Sequence, residues 1–234
     1  MTNIIMDVVG VCSALSMESV VIDQHSIRCE NKEMGIIAIH PNTDINVPIS
    51  MAIGRLQALR KRMGMFQEGI TFTYNQQDPD DADPFITELG LSHGRTKVVF
   101  RCADPKLIKA PKALKSPVVA NITLEKQDLL DLNKAISVMG LAGINFSSTN
   151  GEDLVIAASD NEGDMFKINL ESSVALLDAT ATVNCTFPAD RLKIVTKLLE
   201  KWVDGTFELG VTDRGILVSQ INGFNIYTFP DRKN

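Results

Sequence analysis

The chain has 234 residues, 44% hydrophobic and 22% charged, with a formal net charge of −6. That suits a globular protein with one large core or two small ones, and an acidic chain is not a default nucleic-acid binder, so where the charge lies matters more than its total. Cys12, Cys29, Cys102 and Cys185 stand far apart without a CxxC or a nearby His, and no apolar run reaches the ~18 residues that span a bilayer. These features predict reduced thiols, no metal, no cofactor, no membrane span and a cytoplasmic protein.

Ile4 to Leu15 carries Ile4, Ile5, Val8, Val11, Cys12 and Leu15 at helical spacing and contains no Lys or Arg. Short β-branched runs at Ser19–Asp23, Ser26–Glu30, Gly35–His40 and Ile45–Ser50 read as strands. A second helix is expected over Ala52–Gly64, with Ile53, Leu56, Leu59 and Met63 facing in. Its cations are Arg55, Arg60, Lys61 and Arg62, with no acid among them.

Gly69–Tyr74 is a predicted strand, and Gln76–Leu89, with five acids and two prolines, reads as a solvated loop. It lacks the DxDxDG spacing and terminal Glu of an EF-hand. Thr96–Cys102 closes the first half as a strand. From Ala103 to Pro117, ADPKLIKAPKALKSP has three prolines and four lysines and reads as an inter-domain connector, with apolar Leu107, Ile108 and Leu114. The expected organisation is a domain over 1–104, a connector over 105–117 and a domain over 118–234.

The pattern then starts again. Ala120–Leu124 reads as a strand, and Glu125–Met139 as a helix with Leu129, Leu132, Ile136 and Met139 inward and Lys126, Asn133, Lys134 and Ser137 on its polar face. Strands follow at Ile144–Ser148, Leu154–Ser159, Met165–Leu170 and Thr180–Phe187. In PADRLKIVTKLLEKWVDG, Leu192, Val195, Leu198, Leu199 and Trp202 fall on one arc, and Lys193, Lys197 and Lys201 fall on the opposite one at i, i+4 and i+8. Phe207–Thr212, Ile216–Gln220 and Phe224–Phe229 complete the chain. The sequence thus predicts one α+β unit used twice, each with two helices on one face of a mainly antiparallel sheet.

At this point the chain resembles the DNA sliding clamps, the processivity factors of DNA polymerases, and is most similar to those of T-even-type bacteriophages. The resemblance lies in INVPISMAIGRLQAL (Ile45–Leu59), the connector's ADP and AP elements, TLEKQDLLDLNKAI (Thr123–Ile136) and the tail FNIYTFPD, which is also like that of PCNA-type clamps. Unlike the phage clamps, the first helix here has no lysine. The Gln76–Leu89 loop has no counterpart in them.

The resemblance implies a ring of six domains, hence a homotrimer of a two-domain chain, enclosing double-stranded DNA without reading its sequence. It implies a replicative polymerase and a clamp-loader ATPase as partners. Lumen contacts to phosphate would come from Arg55, Arg60, Lys61, Arg62, Lys126, Lys134, Lys193, Lys197 and Lys201. The subunit junction would join Thr96, Val98 and Phe100 of one strand to Met165, Lys167 and Asn169 of a neighbour's strand. A partner peptide would dock against Leu107, Ile108, Leu114, Tyr227, Phe229 and Pro230.

Other function classes have less behind them. His25, His40 and His93 stand apart, and there is no GxSxG, HExxH, Walker A or dinucleotide fingerprint, so no enzyme is expected. A processivity subunit that holds DNA by charge without closing a ring, and a virion structural protein, are the alternatives.

Overall fold

A computed structural model describes residues 2–41, 49–66, 69–76, 83–148 and 151–231. Of the expected elements, residues 45–48 of the Ile45–Ser50 strand, most of the acidic run after Gln76 and the side chain of Ile4 lie outside the described residues. The backbone divides into two compact units. One comprises the residues up to Asn31, Ile37–Ala113 and Asn222–Phe224; the other comprises Lys32–Ile36, Leu114–Ile221 and Asn225 onward.

The first unit opens with α1 (Thr2–Ala14), followed by β1 (Val20–Ile22), β2 (Ser26–Asn31), β3 (Ile36–Pro41) and β4 (Ser50–Ile53). Then come α2 (Leu56–Met63), β5 (Thr71–Gln76), β6 (Phe85–His93) and β7 (Thr96–Arg101). The sheet runs β3-β2-β1-β4-β6-β5, with β7 also on β6. β4 and β6 are parallel where they meet at Ser50 and Phe85, whereas β5 and β7 flank β6 in antiparallel fashion. α1 and α2 pack together. Ile5, Val8, Val11, Cys12 and Leu15 of the first helical segment are buried, as are Ile22, Ile27, Met51 and Ile53 of the sheet, and Cys12 meets Cys29 of β2.

Two expectations are corrected here. The second helix is shorter than Ala52–Gly64: Ile53 belongs to β4, and Arg55 is the residue before the first turn, with φ −138° and ψ 63°. The stretch to Leu89 is not all loop, because Phe85–His93 is the central strand β6. Gly90 sits in that strand because a Cβ there would stand 2.3 Å from Thr73 Oγ1 on β5.

Beyond a single 3-10 turn at Pro105–Leu107 the connector has no regular secondary structure. The second unit is β8 (Val118–Glu125), α3 (Lys126–Met139), β9 (Gly143–Ser147), β10 (Leu154–Ser159), β11 (Met165–Leu170) and β12 (Val174–Leu176). It continues with β13 (Asn184–Pro188), α4 (Ala189–Trp202), β14 (Thr206–Thr212), β15 (Leu217–Ile221) and β16 (Phe224–Thr228). Its strands lie in the orders β12-β8-β14-β15-β16 and β11-β10-β9-β13. The three-residue β12 was not expected from sequence, and β13 is shorter than the Thr180–Phe187 run.

The repeat is visible in the connections. β1–β4 and α2 occupy the places that β9, β10, β11, β13 and α4 occupy in the second unit, and β5–β7 the places of β14–β16. α3 is held at its start by a capping box between Glu125 and Asp128 and at its end by Gly140 in the left-handed region, φ 64°. α4 starts directly after Pro188, carries Asp190 in its first turn and Lys201 in its last, and so agrees with its macrodipole at both ends.

Candidate nucleic-acid interface

On α4, Leu192, Val195, Leu198 and Leu199 are buried, so the helix turns Lys193, Lys197 and Lys201 away from the core. Spaced four residues apart, the three ammonium groups step along one ridge by about 6 Å each. Lys197 and Lys201 are exposed and Lys193 is half-buried. None of the three forms an ion pair among the described residues. Trp202, expected inside, is 39% exposed at the helix end, where its ring lies 5.6 Å from the Lys201 ammonium. Thr196 takes the buried position instead, at 2% exposure.

That threonine is part of the joint that sets the helices. Its hydroxyl donates to Asn133 Oδ1 on α3 at 2.7 Å, and Asn133 Nδ2 donates to Glu200 Oε2 at 3.0 Å. Asn133, placed on the polar face from sequence, is therefore a buried interhelical residue. Of the two candidate lysines on α3, Lys134 is exposed and unpaired among the described residues, whereas Lys126 pairs with Asp204 at 2.9 Å. Asp204 is fully exposed, so that pair is weak and screened by salt.

The cations around α2 split into two groups. Arg60 and Lys61 are exposed on the helix. Arg55 and Arg62 both lie over the ring of Phe100 on β7, their guanidinium carbons 5.4 and 5.2 Å from its centroid. Phe100 is only 1% exposed, so its side chain belongs to the core and only its main chain is left for a strand junction. The outward side chains on that strand are Thr96, Lys97, Val99 and Arg101, with Val98 half-buried. On β11 the expected Met165, Lys167 and Asn169 are all exposed, and Met165 is 73% so. α1 brings no cation; its outer side shows Met6, Gly10 and Ala14.

The candidate partner-peptide residues divide between the units. In the first unit Leu107 is 81% exposed and Ile108 half-buried; in the second Leu114, Tyr227, Phe229 and Pro230 are half-buried. The second unit has a groove of about 780 Å³ whose lining includes Asp178, Thr186, Asp213, Arg214, Pro230 and Asp231. Only Pro230 of the expected set reaches it. Hydrogen bonds from the Thr180 hydroxyl and N–H hold the Asp178 carboxyl below its usual range, and burial pushes the Cys185 thiol in the same groove up to about 12.

Sequence reading missed Arg191. Its Nη1 donates to the Phe229 and Pro230 carbonyls, the latter at 3.2 Å, while Phe229 N–H donates to Gly35 O and Asp231 N–H to Thr186 O. Burial lowers its pKa from the ordinary arginine value. The guanidinium sits against Gly35, where a Cβ would lie 2.9 Å from Cζ. Its place two residues before Lys193, off the lysine ridge, was the one available signal.

No protein-family model and no curated protein sequence matches the chain. Solved structures do. Proliferating Cellular Nuclear Antigen from Entamoeba histolytica is similar over 96% of this chain and 93% of its own, with TM-score 0.67 and 15% identity. A. fulgidus PCNA, solved with the C-terminal region of FEN-1 bound, is similar over 97% and 94%, with TM-score 0.68 and 13% identity. The chain has the PCNA sliding-clamp fold.

Proposed function

We propose that the chain is a sliding clamp: copies of it close into a homotrimeric ring around double-stranded DNA and tether a replicative polymerase, with no chemistry of its own. The observation that carries this reading is the row Lys193, Lys197 and Lys201, exposed or half-exposed and unpaired on a helix of a PCNA-like fold. Mobile ammonium groups attract phosphate without sequence preference, which suits sliding. Lys134, Arg60 and Lys61 extend the contact set; Lys126 joins it when its salt-screened pair with Asp204 opens.

Topological enclosure is favoured over holding DNA by charge because α1 has no cation and the whole chain carries −6. Ring closure would use the outer edges of β7 and β11. Val99 and Met165 there expose 48% and 73% of their surface, and Lys97, Arg101 and Lys167 restrict which edges pair. The loader is a clamp-loader ATPase. By the likeness to T-even clamps the source is a bacteriophage and the compartment the host cytoplasm.

In the A. fulgidus structure PCNA holds the FEN-1 C-terminal region. We carry peptide docking over to the second unit's groove, whose three carboxylates and Arg214 would read polar groups of a short peptide.

Light scattering over a concentration series, followed by retention on circular and linear DNA, tests the proposal. A mass of three chains with retention only on circles supports it. A persistent monomer that binds linear DNA in a salt-sensitive way would replace it with the charge-held processivity subunit.

A further inference from the structure

Trp202 is the only tryptophan of the chain and ends α4, one residue after the third lysine of the row. Phe100, Phe146, Phe187 and Phe224 are each less than 2% exposed, and Leu198 and Leu199, on the same arc as Trp202, are 2% exposed. The indole instead keeps 39% of its surface in solvent. Val203 leaves the helix in extended backbone, φ −110° and ψ 133°, and Gly205 turns the chain at φ 82°. The ring thus stands where the apolar arc runs out.

Its surroundings are cationic. The Lys201 ammonium lies 5.6 Å from the ring centroid, and the indole N–H has no acceptor among the described residues. Lys126 opens α3 beside it, its N–H donating to the Gly205 carbonyl at 3.0 Å. The two carboxylates at this end of α4 are engaged: Asp204 accepts from the Lys126 ammonium at 2.9 Å and Glu200 from Asn133 Nδ2 at 3.0 Å. Lys193, Lys197 and Lys201 are left as cations without an ion pair among the described residues.

A flat apolar face at the end of a row of ammonium groups matches the two parts of a nucleotide, the ring taking the base and the row the phosphates. Within an intact duplex each base is covered on both faces by its neighbours, so only an unpaired base offers a face to the indole. We propose that Trp202 stacks on an unpaired base of single-stranded DNA whose phosphates follow Lys201, Lys197 and Lys193. The site then distinguishes a single-stranded end from continuous duplex, which the lysines alone do not. The proposal rests on α4 being the DNA-facing helix of the clamp reading.

Because Trp202 is the only indole, its emission reports on this site alone. The test titrates the full chain with an oligothymidylate of about a dozen nucleotides and with a blunt duplex of the same length. Saturable quenching by the single strand, weakened by salt and absent with the duplex, is the expected result. Polarisation of a labelled oligonucleotide should show binding weakened about tenfold by Trp202→Ala and largely restored by Trp202→Phe. Equal melting temperatures for the parent and both variants separate lost stacking from a folding defect. Equal quenching by duplex and single strand, unchanged affinity in Trp202→Ala, or no quenching at all overturns the proposal. Retention of the parent chain on circular duplex DNA without quenching overturns it and leaves the clamp reading standing; quenching without retention does the reverse.

Discussion

The Thr196 hydroxyl and Asn133 Oδ1 meet at 2.7 Å inside the α3–α4 contact, with the Leu192 carbonyl of the same helix as Thr196 2.9 Å away as an alternative acceptor. Both residues are almost fully buried, so removing one strands the other. Thr196→Val, which keeps the shape, should cost about 1–3 kcal/mol in urea unfolding. Asn133→Ala should cost at least as much, because it also releases Glu200. A loss under ~0.5 kcal/mol in both would mean that water replaces the contact.

Reversing Lys193, Lys197 and Lys201 to Glu should abolish retention on circular DNA and leave the solution mass unchanged. The substitutions lie on the outward side of α4 and touch none of its buried residues. Normal retention by the triple variant would remove the observation on which the clamp reading depends. Each single reversal should lower retention and flatten its salt dependence by less.

Arg62 and Lys61 are neighbours with opposite expectations. Arg62→Ala removes a guanidinium stacked on Phe100, a contact worth about 0.5–2 kcal/mol, and should lower stability by that order. Lys61→Ala should leave stability within about 0.5 kcal/mol and weaken DNA binding instead. Thermal melts and a DNA titration on the two variants separate the roles.

How much of this could be read from the chain alone is clearest from particular residues. Helical periodicity located α4 and three of its lysines because its apolar arc is strong and its neighbours are polar. It misplaced Trp202, since a wheel assigns a direction but not where the core ends. Asn133 looked like surface because a buried amide is recognisable only once its partners on another helix are known. Phe100 was read only as part of a strand junction, although its alternation in β7 also fitted the core position its side chain takes. β6 was hidden by the five acids and two prolines of Gln76–Leu89, which outweighed the apolar residues at the start of Phe85–His93.

Asp23 makes a pH prediction. Burial alone would raise its pKa, but the His25 N–H, the Arg28 guanidinium at 2.6 Å and the Ser26 N–H outweigh burial and leave it lowered. A carboxyl whose folded pKa lies below its unfolded value stabilises the fold above about pH 4, and that stabilisation is lost as pH falls through the folded value. Asp23→Asn should therefore lower the melting temperature at pH 7, and the gap to the parent chain should close in acid. A gap that does not change with pH would mean that the effect is packing.

The cysteines should be unreactive in the folded chain. Burial, with Glu88 adding to it, pushes Cys102 up to about 12, and burial alone does the same for Cys185. Cys12 and Cys29 are buried together with sulfurs 3.2 Å apart, and the shared hydrogen bond, with burial, raises Cys12 well above the usual thiol range. At pH 8 a thiol reagent should find almost no thiolate at Cys12, Cys102 or Cys185 until denaturant is added. Rapid labelling of any one of them in the native chain would contradict this.

Arg191 grips the tail through the carbonyls of Phe229 and Pro230, and the tail's own N–H groups answer Gly35 and Thr186. All four bonds end on main-chain atoms, so they specify where the tail runs and ignore which side chains it bears. Residues 229–231 are thus free to drift over evolutionary time without coming loose. Arg191 and the bare backbone of Gly35 carry the constraint. A tail held in this way can change what it offers to a visiting peptide while keeping its position, and that lets one architecture acquire new clients at small structural cost.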